Sequence, residues 1–114
     1  MRIKEVRDIL EAEVLCGEEF LDQDVSSACG ADLMSDVLAF VKDQGVLLTG
    51  LLNLQVVRTA EMMDMKCVVI VRGKVPDEKL VDFAESRSIV MLRTPYTMYT
   101  ACGRLYAKGL VGVE

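Results

Sequence analysis

Apolar and polar positions follow two rhythms along this chain, one of helical period and one of short continuous runs, and their alternation predicts the architecture. Over residues 3–11, Ile3, Val6, Ile9 and Leu10 recur at helical spacing and leave Lys4, Glu5, Arg7 and Asp8 to solvent, which predicts an amphipathic helix. Ala12 to Gly17 carries Val14, Leu15 and Cys16, a run that suits a buried strand, before the acidic pair Glu18 and Glu19. The stretch DVSSACGADL starts with small and β-branched residues fit for a strand edge and turns at Gly30. Asp32 is placed to cap a helix whose stripe is Leu33, Met34, Val37, Leu38 and Val41, with Gly45 as its terminating glycine.

Three more strands follow in the same manner. Val46, Leu47 and Leu48 form a run typical of strands buried on both faces and end in Thr49 and Gly50; Asn53 then caps a helix with Val56, Val57, Ala60 and Met63 inside. Cys67 to Val71 is the most strand-like segment, Arg72-Gly73-Lys74 is its turn, and Pro76, Asp77 and Glu78 open a helix that faces inward with Leu80, Val81, Phe83 and Ala84. Ile89 to Leu92 is the last strand. Thr94 and Pro95 read as the N-cap and first position of a final helix, with Met98, Ala101, Cys102 and Leu105 buried and Gly109 at its end.

Strands and helices that alternate at intervals of about 20 residues are the mark of βαβ units, whose crossovers are right-handed. The expected fold is therefore α/β: a three-layer α/β/α sandwich with a mostly parallel sheet of about five strands, in one domain over 1–114. No internal repeat or linker interrupts it.

Composition narrows the partners. A hydrophobic fraction of 52% and a mean hydropathy of +0.31 are high for so small a domain and point to apolar surface covered by another chain, most simply in a homodimer. A net charge of −5, with the acids scattered, argues against a nucleic-acid partner, which needs a basic stripe. No run approaches the roughly 20 apolar residues of a membrane span. The start, MRIKEVRDILEAE, has no signal-peptide core, so the expected location is the cytoplasm, away from membranes. There Cys16, Cys29, Cys67 and Cys102 are expected as ordinary thiols, and with no C-x-x-C pair and no histidine neither a metal nor a cofactor is expected.

Candidate chemistry collects at one edge. In open parallel sheets, ligands bind beyond the carboxyl ends of the strands, where loops meet helix N-termini. That edge carries Gly30, Ala31, Asp32 and Ser35, then Thr49, Gly50 and Asn53, then Arg72, Gly73 and Lys74, and finally Thr94, Tyr96 and Thr97. The ligand-binding set read from it is Asp32, Ser35, Thr49, Gly50, Asn53, Arg72, Gly73, Lys74, Thr94 and Thr97, acting through backbone amides, hydroxyls and the charge of Lys74 on a small anion such as a nucleotide or phosphate ester. Glycine, threonine, asparagine and aspartate also serve turns and caps, so convergence, rather than any single residue, carries this reading. No Walker-type or dinucleotide-binding glycine loop is present, no nucleophile elbow, and no histidine base for a triad. Carboxylate pairs such as Asp32 with Asp36 or Glu61 with Asp64 are read as solvated or capping groups, and no catalytic residue is assigned. Arg58 and Arg104 either reach a ligand or snorkel and pair with acids; Met62, Met63 and Met65, and the tyrosines Tyr96, Tyr99 and Tyr106 on the last helix, suit core or interface.

The segments GADLMSDVLAFVK, VLLTGLLNLQVVRTAEMMD, VVIVRGKVPDEKLVDFAE and TPYTMYTACGRLYAKGL together resemble the DRTGG domain over essentially the whole chain. That family is similar in fold to the N-terminal domain of HPr kinase/phosphorylase. The naming motif is absent in literal form: Thr49-Gly50-Leu51 follows the third strand and Val71-Arg72-Gly73 the fourth. The resemblance implies a non-catalytic regulatory or assembly module, commonly dimeric, found fused in phosphate acetyltransferases and regulated pyrophosphatases and also alone. Two functions follow as expectations. One is ligand sensing at the carboxyl edge; the alternative is a protein interaction module for a metabolic or redox enzyme, with no small-molecule ligand.

Overall fold

A computed structural model describes residues 1–40 and 45–112. The elements are α1 (Ile3–Ile9), β1 (Glu13–Cys16), a 3-10 turn (Glu18–Phe20), β2 (Ser27–Gly30), α2 (Met34–Phe40), β3 (Gly45–Thr49), α3 (Leu54–Met62), β4 (Cys67–Ile70), α4 (Glu78–Ser86), β5 (Val90–Arg93) and α5 (Met98–Ala107). Five strands form one sheet in the order β1-β5-β4-β3-β2. The pairs from β2 to β5 are parallel, while β1 joins β5 antiparallel with a bulge between Val14 and Cys16.

Crossover handedness explains the layers. From β2 through β5 every step moves one place in the same direction, so three right-handed crossovers put α2, α3 and α4 on one face. The α1 and α5 helices cover the other. Leu47, Val68, Ile70 and Met91 face the first layer with Val56, Ala60, Leu80 and Ala84. Val46, Leu48, Val69, Val90 and Leu92 face the second with Ile3, Val6, Ala101 and Leu105. Strands covered on both faces need apolar residues at every position, which is why these runs show no alternation.

Asn53 caps α3 as expected, its Oδ1 accepting from Gln55 N at 3.0 Å, and within the expected opening of α4 Asp77 is the cap, its Oδ1 accepting from Leu80 N at 2.9 Å. Gly109 sits at φ +102° just past α5, with Leu110 N donating to Leu105 O at 3.1 Å.

Four expectations are corrected. Gly45 does not end a helix but is the first residue of β3, opposite Ser27, because a Cβ there would stand 2.5 Å from the Ser27 carbonyl oxygen. Asp32 is not an N-cap; α2 starts at Met34 and the carboxylate is engaged by the β3 loop. Thr94 and Pro95 do not open α5, because the buried Thr94 hydroxyl donates to Leu10 O at 2.7 Å and accepts from Tyr96 N at 3.3 Å. The helix begins three residues after Pro95, behind Thr97, and so leaves Tyr96 in the loop. On α2 only Met34 and Val37 of the expected stripe are buried; Leu33 and Leu38 are exposed, and Val41 lies outside the described residues. Met63, Val81 and Phe83 are half-buried, whereas Met65 is in the core.

The arginines settle at the surface. Arg104 stacks 4.4 Å from the Tyr96 ring and its Nε donates to Ile9 O at 3.2 Å, which ties α5 to α1. Arg58 and Arg87 lie 5.9 and 5.1 Å from the Phe83 ring, and Arg87 pairs with Glu61 at 3.2 Å across α3 and α4. No described helix is long and apolar enough to cross a membrane.

Candidate functional site

Parallel strands with helices behind them bring three loops side by side at the carboxyl ends of β2, β3 and β4. Asp32 Oδ1 accepts from Gly50 N at 2.7 Å and from Thr49 Oγ1 at 3.0 Å, and Thr49 Oγ1 accepts in turn from Leu51 N at 3.1 Å. Lys74 Nζ donates to the Gly50 carbonyl. A methyl group placed on Gly50 would stand 3.5 Å from Arg72 Nη2, 3.6 Å from Asp32 Oδ1 and 3.7 Å from Lys74 Nζ. Two cations and one carboxylate thus converge on a bare stretch of backbone, leaving a local positive excess on a chain of net charge −5.

The turn that carries the cations is strained on purpose of position. Arg72 has φ +62°, a left-handed conformation that costs a non-glycine residue about 1 kcal/mol. It is held there because Arg72 N donates to Tyr96 O at 2.7 Å and Gly73 N to Thr94 O at 2.8 Å.

These bonds bear on which groups of the edge face outward. The amides of Gly50, Leu51, Arg72 and Gly73 are all consumed inside the protein, so these four do not serve an anion. What faces outward is side-chain charge: the exposed Arg72, which has no ion-pair partner among the described residues, and the half-buried Lys74. Of the residues read from the sequence, Asp32, Thr49, Gly50, Arg72, Gly73 and Lys74 belong to this cluster. Asn53 and Thr94 are engaged locally, as cap and loop tie. Ser35 and Thr97 are exposed on the flanking helix starts, Thr97 Oγ1 donating to Thr100 Oγ1 at 3.4 Å.

A cavity of about 340 Å³ beside β2, lined by α2, α5 and the segment after α5, had no counterpart in the sequence reading. Nothing in the linear pattern pairs residues 28–31 with 102–112; the contact exists only because β2 is the sheet edge. Burial raises the pKa of the Cys16, Cys67 and Cys102 thiols. Among the described residues no disulfide joins cysteines and no three metal-ligating side chains converge.

Asp32 is the keystone of the loop geometry. Asp32→Ala strips the acceptor from the Gly50 amide and the Thr49 hydroxyl and is expected to lower the unfolding free energy by about 2 kcal/mol, measured by urea denaturation. A loss below about 0.5 kcal/mol would show that water replaces the carboxylate without penalty.

The fold and its charged strand ends define a class: a three-layer α/β domain with a polar, loop-built edge. A model of the DRTGG domain matches residues 5–107, and the chain belongs to that family. No curated protein matches it. Among solved structures, the CBS and DRTGG domains of the regulatory region of Clostridium perfringens pyrophosphatase, complexed with the activator diadenosine tetraphosphate, superpose with a TM-score of 0.72 at 18% identity. The match covers 96% of this chain and 47% of that one, so this chain spans about half the length of that neighbour.

Proposed function

We propose that this chain is a non-catalytic regulatory module that senses a small phosphate-bearing anion, of the nucleotide or phosphate-ester class, at Arg72 and Lys74. The observation that carries this is the convergence of Arg72 Nη2, Lys74 Nζ and Asp32 Oδ1 within 3.7 Å of one point above Gly50. The absence of a side chain at Gly50 leaves room there for a phosphate oxygen, and charge-assisted bonds from guanidinium and ammonium are the strong kind. Its similarity in fold to part of a regulatory region that binds a dinucleotide activator supports the same reading; that chain also holds CBS domains.

The test is a thermal-shift titration with pyrophosphate and ATP on the intact chain, with mass in solution recorded alongside. A dose-dependent rise in Tm that falls with added salt is expected, since a ligand bound only by the folded state stabilises it. A flat response would sink the reading. Asp32→Asn keeps an acceptor for Gly50 N but removes the negative charge, and is expected to tighten pyrophosphate binding about fivefold. Unchanged or weaker affinity would place the anion elsewhere.

A second reading rests on exposed apolar side chains: Leu33 at 60%, Met62 and Val75 at 69% and Tyr99 at 90% exposure. These favour a protein contact, with a second copy in a homodimer or with an enzyme partner. A strictly monomeric mass at high concentration, with no partner retained from native extract, would remove it.

A further inference from the structure

We propose that the cavity between α2, α5 and the outer edge of β2 is a slot for an uncharged planar heterocycle with adjacent hydrogen-bond donor and acceptor, of the nucleobase class, read by the backbone of Gly30. The parity of β2 supplies the reader. Ala31 N donates inward to Leu48 O at 3.0 Å, so Cys29 and Ala31 face β3, while Ala28 N donates the other way, to Val111 O at 3.0 Å. Gly30 shares the outward side with Ala28. Its N–H and C=O are therefore turned away from β3, and Gly30 lines the cavity.

One extended residue presents its N–H and C=O side by side, the pair that two strands exchange in an antiparallel sheet. An amide or amidine edge of a heterocycle matches that pair. A peptide strand does not fit as well: Val111 already occupies Ala28, and β2 ends at Gly30, so little of the strand edge is left for a ladder. A side chain at position 30 would stand 2.8 Å from Cys102 Sγ and 2.9 Å from Met98 Sδ, so glycine is what keeps this backbone bare beneath α5.

The walls suit a ring. Val37, Leu48, Leu105 and Leu110 supply apolar surface, and the volume of about 340 Å³ lies in the range of small-molecule sites. Among the described residues Asp36 is the charged lining residue and no cation lines the cavity, so an anionic group is disfavoured inside. Burial keeps the Cys102 thiol protonated, and that wall neutral. The slot does not depend on Arg72 or Lys74.

The test is a ¹⁵N-correlation NMR titration of the intact chain with adenosine, inosine and purine riboside. Adenosine and inosine each present a donor beside an acceptor and are expected to move the Gly30, Ala31 and Cys102 amides; purine riboside lacks the donor and is expected to bind about fivefold more weakly, the loss of one neutral hydrogen bond. Cys102→Phe is expected to fill the slot and abolish the shifts while the rest of the spectrum keeps its dispersion. No movement of the Gly30 amide at millimolar adenosine overturns the proposal, as does a response confined to an extended peptide. Pyrophosphate, titrated into the same sample, reports separately on the Arg72 to Lys74 amides, so either site can fail alone.

Discussion

Arg72→Ala combined with Lys74→Ala is expected to weaken pyrophosphate binding about a hundredfold, as measured by calorimetric titration at fixed salt. Each charge-assisted bond contributes about 1.5–3 kcal/mol, and the lower figure for two of them already gives that factor. The amides of Gly50, Leu51, Arg72 and Gly73 are spent inside the protein, so none of these four rescues the anion. The single change Arg72→Gly separates binding from stability. It relieves the left-handed strain at φ +62° and is expected to leave the unfolding free energy unchanged or raised by about 1 kcal/mol, while affinity falls about tenfold. Parallel losses of both would mean that Arg72 serves the fold and not a ligand.

Gly45→Ala is expected to destabilise the domain by about 3 kcal/mol, read as a lowered urea midpoint with an unchanged slope. The added carbon would sit 2.5 Å from the Ser27 carbonyl oxygen, 2.7 Å from Ser27 Oγ and 3.0 Å from the Ser27 carbonyl carbon. Two of these atoms are backbone, so no rotamer change relieves the clash and β2 must move away from β3. Against a typical total of about 5–15 kcal/mol, that is a large share. Since β2 leads directly into Gly30 and Asp32, the displacement should also disturb both candidate sites. A loss under about 1 kcal/mol would show that the edge strand shifts freely, and that neither site is rigidly held.

Much of this was legible because local rules and tertiary context agree. The runs at Val46 to Leu48 and Cys67 to Val71 are buried on both faces, and Asn53, Asp77 and Gly109 end or start helices where their chemistry predicts. The misreadings share one cause. Asp32, Gly45 and Thr94 are residue types that suit helix ends, yet each is claimed by a strand or loop distant in sequence: Gly50, Ser27 and Leu10. Single-sequence patterns carry no information about such partners. The position of Gly50 at the loop edge was foreseen; the engagement of its amide by Asp32 was not, because that depends on which acceptor the fold places opposite.

The antiparallel seating of β1 has a consequence for biogenesis. Glu13 faces Arg93 across 80 residues of chain, and β5 is the neighbour β1 pairs with. On the ribosome, β2 to β5 emerge in the order in which they stack, but β1, made first, waits for the last strand. At about 5–20 residues per second, the sticky segment Val14 to Cys16 goes without its edge for about 4–16 s. A nascent chain of this protein therefore carries an obligatory interval of exposure at β1, one that a holding chaperone is suited to cover.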